Sequence, residues 1–399
     1  MAAATDAFTH RDRCAIVGIG ATDFSRDSGR SELTLATQAA RAALDDAGLT
    51  VADIDGIVRC DFDSVTHNAL SASLGIRGLS YWGEVGPGGV APCAMVGQAI
   101  GAILSGQAST VLLYRCLNGR SDVRFSAGTA PTVQRPVGGK ATYDEFYIPY
   151  GLMTPGQLFA LMAQRHTIEY GTTPEQLGEI ALTCRANAND TPHAQTAGRK
   201  LTMSEYLASR MISAPLRLFD FCLESDGACA VIVTSAARAR DLRQPPVLIR
   251  AVAQGAAADT RGGMMYTAVT RKSLVELPAY TVANKLYERA GLGPQDIDVA
   301  QIYDCFTISV LMQLEAFGFC EPGAGGPFVA SGAIRRDGSV PINTAGGHLS
   351  EGYIHGMNHI VEATRQMRGT GAVQVADAET CLVTGGPFPT SSALILRKA

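Results

Sequence analysis

The chain of 399 residues is 46% hydrophobic and 18% charged, with a formal net charge of −4, so it can bury a large core in two or three compact subdomains. The weak charge and the lack of any run of five like charges exclude a nucleic-acid footprint. The longest weakly polar run, "GGVAPCAMVGQAIGAILSG", is broken by Pro92, Gln98 and several glycines, and "MAAATDAFTHRDRC" at the start has no apolar leader core. No membrane span is expected. Ten cysteines without a CxxC pair read as reduced thiols of a cytoplasmic protein, most of them small core residues.

In chain order, "VGIGATDF" follows a strand but lacks the third glycine of a dinucleotide fingerprint. A helical pattern, "LTLATQAARAALDDAG", ends at a glycine and leads through "AGLTVADIDGIVRCDF" into an apolar strand. Paired glycines then open the helix of "GGVAPCAMVGQAIGAILSGQASTVLLY". Residues 117–215 differ in character: "FSAGTAPTVQRPVGGKATYDEFYIPYG" is irregular, and "TPGQLFALMAQRHTIEYG" and "TPEQLGEIALTCRANAN" are amphipathic helical patterns. Such an insertion caps a scaffold and shapes a pocket. After "FDFCLESDG", the run "ACAVIVTS" returns the chain to a sheet.

The early pattern recurs. "YTVANKLYERAG" is followed by "AGLGPQDIDVAQIYDCF", which shares AGL, DID and a terminal aspartate with the earlier segment; Asp61 and Asp304 are separated by 304 − 61 = 243 residues. "GGHLSEGYIHGMNHIVEATRQMRG" likewise matches the first glycine-paired helix. Two ordered matches predict a duplicated α/β chain. The expected division is 1–116 and 216–246 for the first half, 117–215 for the inserted cap, and 247–399 for the second half.

Other chemistries fit poorly. "HLSEG" lacks the first glycine of a nucleophile elbow. In "HGMNH", His355 and His359 stand one turn apart, but no glutamate follows His355 and no third ligand is indicated, so no metal is expected. None of the five lysines suggests an imine-forming site.

The duplicated layout, "IYDCFTISVLMQLEAFGFC" and "NTAGGHLSEGYIHGMNHIVEATRQMRG" together resemble the thiolase superfamily, in its sterol-carrier-protein or lipid-transfer-protein branch, over essentially the whole chain. The resemblance implies a duplicated thiolase fold, two mixed sheets with helices in an α-β-α-β-α layering, plus an inserted loop domain. In that branch the second-half strand ends in His-Asp-Cys-Phe and the later turn carries Gly-His-Pro. Here those positions read Tyr303-Asp304-Cys305-Phe306 and Gly352-Tyr353-Ile354. Counting back from "ILSG" places the family's acyl-accepting cysteine at Gly89, and Cys93 lies one turn deeper, where a helix would bury it.

Without a nucleophile there is no acyl-enzyme. What remains is to hold a coenzyme A thioester and stabilise its enolate, which suffices for retro-aldol cleavage of a 3-hydroxyacyl-CoA with Tyr303 and Tyr353 as acid and base. A phenol must be helped to ionise. Tyr353 is expected near a helix N-terminus, with His348 and His355 as donors, whereas Asp304 would oppose ionisation of Tyr303, so Tyr353 is expected to ionise more easily. Asp304 and Cys305 are expected to support the site, and Gly89, Gly347 and Gly386 to let the backbone approach the pocket, as are Gly88, Gly346 and Gly385. Arg165, Arg199 and Lys200 are candidates for the coenzyme A phosphates.

The resemblance is closest to the thiolase-like aldolases of bacterial steroid side-chain degradation. It implies release of propionyl-CoA from a 17-hydroxy steroid bearing a CoA-thioester side chain, leaving a 17-ketosteroid. It also implies a homodimer and a smaller OB-fold partner, with coenzyme A entering as part of the substrate and no permanently bound cofactor. Two alternatives stand beside this: an acyltransferase using Cys93 or Cys305, and a non-catalytic acyl-CoA-binding scaffold subunit.

Overall fold

The computed structural model describes residues 10–122, 148–256, 273, 275–388 and 390–399. The repeat is visible in its local structure. Helix α1 (Glu32–Ala47) is capped at Ser31, whose side chain accepts from the Thr34 amide, and ends at Gly48 with φ 71°. It buries a stripe that includes Ala36, Ala39, Ala40, Ala43 and Ala47, at the three- and four-residue spacing of one helix face. Helix α8 (Ala279–Ala290) ends the same way at Gly291, φ 65°. Each is followed by a short 3₁₀ turn closed by an aspartate. Asp53 accepts from the Thr50 amide at 2.9 Å and Asp296 from the Gly293 amide at 2.7 Å. Strands β2 (Gly56–Cys60) and β9 (Val299–Gln301) then begin at the same 243-residue offset, 299 − 56.

The other strands are β1 (Cys14–Ala21), β3 (Tyr81–Val85), β4 (Thr110–Asn118), β5 (Met211–Ser213), β6 (Leu216–Arg217), β7 (Asp226–Ser235), β8 (Val247–Ala256), β10 (Thr380–Thr384) and β11 (Thr390–Lys398). Of the eleven strands among the described residues, nine form one mixed sheet in the order β3-β2-β4-β7-β1-β8-β11-β10-β9, while β5 and β6 pair separately. The two mixed half-sheets are continuous with one another. The halves are joined where β1 meets β8, through only Ala15↔Leu248 and Ile16↔Val247. A joint this short lets the two half-sheets turn their inner faces towards each other.

Helices α3 (Ala91–Leu104) and α12 (Met357–Arg368) fill the space between those faces. Met95, Val96, Met357 and Ile360 pack there with Val58, Leu113 and Val231 of the first half and Val383 and Leu394 of the second. The outer face of the first half is covered by α1, packed on Val17, Ile57 and Leu112, and α2 (His67–Leu74) contributes Leu70 and Leu74 to the same cluster. The outer face of the second half is covered by α8 and α9 (Thr307–Ala316). The layering is therefore helix, sheet, helix, sheet, helix. Each fully buried Leu, Ile or Val in these clusters contributes about 1.5–3 kcal/mol of transfer free energy.

Both amphipathic patterns between β4 and β7 form helices, α4 (Pro155–Tyr170) and α5 (Pro174–Asn189), each with threonine at the N-cap and proline in the first turn. They pack against α9 in the second-half core, where buried His166 of α4 bonds Glu315 of α9 at 3.2 Å. The irregular segment before α4 lies, over residues 125–147, outside the described residues. Shorter helices α6 (Met203–Ala208), α7 (Ala236–Ala239), α10 (Gly325–Ala330) and α11 (Gly347–Ser350) are the other α-helices among the described residues. Among the described residues, no helix is long and apolar enough to cross a membrane.

The second glycine-paired segment differs from its expected form. After Gly346 and Gly347 only the four-residue α11 forms, then a turn with His355 at φ 48°, before α12 starts at Met357.

Candidate active site

Tyr303 stands two residues past β9. Its amide donates to Thr384 Oγ1 at 2.9 Å at the end of β10, and its carbonyl accepts from Ser309 Oγ at 3.0 Å and Gln313 Nε2 at 2.8 Å. Its backbone is thus held on both sides. Tyr353 lies in the turn between α11 and α12, its amide donating to Ser225 Oγ at 3.0 Å. The two hydroxyls meet at 2.9 Å. Burial raises both phenols well above their ordinary pKa, so the resting pair is neutral.

This alters the ionisation argument. Tyr353 follows the C-terminal end of α11 and precedes α12 by four residues, so it is not itself in the first turn of a helix. Nor does the Asp304 carboxylate face Tyr303's hydroxyl. It accepts from the amides of His348 (2.8 Å) and Leu349 (3.0 Å) and from His359 Nε2 (3.0 Å). Gly347, with φ +60°, permits this approach, because a Cβ there would lie 2.3 Å from Asp304 Oδ2. Burial alone would raise the Asp304 carboxyl, but His348, His359 and the amide donors outweigh it and hold the group below the usual carboxylate range.

Two histidines wall the phenols. His348 meets Tyr303 and Tyr353 edge-on, with ring centroids 4.6 and 4.8 Å away, and His355 meets Tyr353 edge-on at 4.7 Å. Burial, with the neighbouring His359, lowers His348 to about 3. His355 receives a hydrogen bond at Nδ1 from Arg115, which is wholly buried and paired with Asp63. A guanidinium has only donors, so Nδ1 must carry a lone pair and His355 is neutral, with its proton on Nε2. Burial and Arg115 together lower its pKa well below the ordinary value.

Sequence reasoning missed Arg115 and Asp63. The signal was an arginine inside the otherwise apolar strand "TVLLYRCLN", since an arginine is rarely fully buried without a partner. It also misassigned His359, considered only beside His355. The metal-capable cluster among the described residues is instead Asp304, His348 and His359, whose ligand atoms lie within 4.8 Å of one another. The Asp304 oxygens there already accept four hydrogen bonds, the fourth from the Cys184 thiol at 3.8 Å.

The remaining candidates fall into two groups. Gly88 and Gly89 form a 3₁₀ turn into α3, and the Gly386 amide donates to the Gly89 carbonyl at 2.8 Å, which brings position 89 against the β10 end. Gly346 caps α11, and the Gly385 amide donates to Ser392 O at 2.7 Å. Cys305 is buried beside Ser309 Oγ at 3.6 Å. Cys93 is buried in α3 with its Sγ against Val383 O at 3.7 Å, and burial pushes both thiols up to about 12, which suits neither as a nucleophile.

Farther out, Arg165 pairs with Glu169. Lys200 lines a surface cleft of about 440 Å³ with Arg185, Arg210 and Phe219, among others, and Arg199 does not line it. Arg185 lies 5.6 Å over the Phe219 ring and donates from Nε to Ser350 Oγ at 3.1 Å, three residues before Tyr353.

Residues 260–398 match the thiolase C-terminal domain-like family. The chain is 43% identical over 387 residues to the 17-hydroxy-3-oxo-4-pregnene-20-carboxyl-CoA lyase of Mycobacterium tuberculosis, covering 96% of this chain and 99% of that one. It is also 43% identical over 383 residues to the steroid side-chain-cleaving aldolase of Thermomonospora curvata, covering 96% and 97%. A solved structure, the Ltp2-ChsH2(DUF35) aldolase, superposes with a TM-score of 0.91 at 42% identity, covering 97% of this chain and 98% of that one. The chain belongs to the thiolase superfamily and, within it, to the steroid side-chain-cleaving aldolases, carbon–carbon lyases carried on a thiolase-like fold.

Proposed function

We propose that the protein cleaves a bulky tertiary 3-hydroxyacyl-CoA by retro-aldol reaction, with a 17-hydroxy steroid side-chain CoA thioester as substrate and propionyl-CoA and a 17-ketosteroid as products. The observation that carries this reading is the 2.9 Å contact between the hydroxyls of Tyr303 and Tyr353, at the two positions where the resemblance expects histidines. Beside it, position 89 has no nucleophile.

Because both phenols are held neutral, the pair acts as a relay rather than through a standing tyrosinate. In one concerted shift, one phenol oxygen takes the proton of the substrate 3-hydroxyl and passes its own proton to the second phenol, which gives up its own to C2. The C2–C3 bond breaks to the ketone in the same shift, its electrons developing thioester-enolate character as C2 is protonated. Neither phenol carries two protons at any point, and each ends with the one proton it began with. His348 and His355 hold the rings, and Asp304 anchors the α11 backbone and His359 around them.

The cleft at Arg185, Lys200 and Arg210 suits the anionic end of coenzyme A, with the acyl chain running past Ser350 towards the tyrosines. A homodimer and a smaller OB-fold partner belong to the same reading on the family resemblance, and the naming of the 42%-identical structure with two protein components supports a partner protein. The test is to incubate the chain, alone and with the OB-fold partner, with the steroid CoA ester and follow propionyl-CoA by chromatography. Release together with a 17-ketosteroid is expected. Binding of the ester without product in either arm would overturn the aldolase reading and favour the scaffold alternative.

A further inference from the structure

Tyr303 and Gly89 occupy one another's space. A Cβ built on Gly89 would lie 1.9 Å from Tyr303 Oη, 2.3 Å from its Cζ and 2.7 Å from its Cε2. None of these separations is tolerable for non-bonded atoms. Gly89 has no positive φ, so its backbone accepts an alanine, and the three atoms nearest the added Cβ all belong to Tyr303. The ring also lies 3.3 and 3.4 Å, at Cδ2 and Cε2, from where a Cβ of Gly356 would stand. The ring is therefore bordered by two glycine backbones, one from the entry to α3 and one from the entry to α12. It is 4% exposed, and its main chain is bonded at both the amide and the carbonyl, so it has no free direction in which to yield.

We infer that Gly89 is a positioning residue: the missing side chain at 89 is the seat of the Tyr303 phenol. A side chain at 89 and the Tyr303–Tyr353 hydroxyl pair exclude each other. The loss of the family's nucleophile and the gain of Tyr303 are then one steric exchange rather than two independent changes. Restoring a cysteine at 89 in this chain would displace the phenol before it could offer a thiol. The inference rests on the reading of Tyr303 as a reacting group, whereas the seat itself is a packing statement that can be tested without turnover.

The experiment is a double-mutant cycle on the full chain. Gly89→Ala is combined with wild-type Tyr303, Tyr303→Phe and Tyr303→Leu, and thermal unfolding and turnover are both measured. Phe keeps the Cζ and Cε2 contacts, and Leu removes all three. Gly89→Ala is expected to lower Tm by about 2–4 °C or more beside tyrosine, by less beside phenylalanine, and not at all beside leucine; Tyr303→Ala serves in place of leucine should that chain fail to fold. An undiminished penalty beside leucine or alanine would overturn the seat. In turnover, Gly89→Ala is expected to lower kcat by about 100-fold with KM nearly unchanged, and to cost nothing further in the Tyr303→Phe background. Multiplying losses would overturn the positioning role, and a fully active Tyr303→Phe chain would overturn the reading of Tyr303 while leaving the thermal cycle to judge the seat.

Discussion

The two halves carry the same helix, 3₁₀ turn and strand at a constant offset, yet their strand ends have different fates. Asp61, past β2, is exposed and accepts from the Gly88 amide at 3.3 Å. Its counterpart Asp304, past β9, is wholly buried and binds two amides and a histidine. The first half supplies a backbone seat through Gly88 and Gly89, and a buried Arg115–Asp63 pair behind it. The second supplies both tyrosines and the histidines. Duplication made two similar frames, and burial separates them: the second-half carboxylate is enclosed by fixed donors, whereas the first-half one is exposed.

The strongest way to break this contrast is to remove the hydroxyls of the second half. Tyr303→Phe and Tyr353→Phe are each expected to lower kcat by about 100-fold or more while circular dichroism stays native. A neutral relay further predicts a kcat that stays flat across neutral pH, whereas a tyrosinate base would give a rate rising tenfold per pH unit towards alkali.

The first half should respond in stability. Arg115→Gln removes the guanidinium that offsets the burial of Asp63, whose carboxyl burial already raises to about 6, so the carboxyl must stay unpaired or take up a proton, and the change is expected to cost about 3–5 kcal/mol in urea unfolding. Arg238→Gln breaks the 2.8 Å pair with Asp53 of the first-half repeat. That pair is about one-third exposed, so its loss should cost less than about 1 kcal/mol. Equal costs would mean that burial does not distinguish the two pairs.

His348 sharpens the second half. Its folded pKa is lowered to about 3 by burial and His359, so in the pH range between that value and the ordinary value of about 6.5 the unfolded chain binds a proton that the folded chain refuses. Its contribution is full above about 6.5 and is lost as pH falls towards 3. Unfolding midpoints should fall across that window, and His348→Gln should flatten the fall. The smallest effect belongs to Cys93→Ser, expected to keep kcat within about twofold because the thiol touches no reacting group; a large loss would revive the acyltransferase reading.

Much of this was legible in one dimension. Gly48 and Gly291 marked the helix ends, the DID repeat marked the 3₁₀ turns and strand starts, and the tyrosines replaced histidines at recognisable positions. Such signals are local, since caps and turns depend on a few neighbouring residues. The joint between the two half-sheets and the orientation of the Asp304 carboxylate were not legible there. Each depends on direction, and spacing along a chain does not say which way a carboxylate points or where two edges meet. The pairing of His359 with Asp304 rather than with His355 escaped for the same reason.

The sequence by itself determined the repeat, the caps, the apolar strands and the presence of two phenols where histidines were expected, because these follow from backbone propensity and side-chain chemistry at each position. Only the tertiary structure decided that the two hydroxyls share one hydrogen bond, that Asp304 turns away from them, that Arg115 fixes the proton on His355, and that Tyr303 lies in the space left by Gly89. Those outcomes arise from packing and desolvation between segments far apart in the chain, where volume, dielectric and donor geometry are set jointly by residues that no local pattern connects.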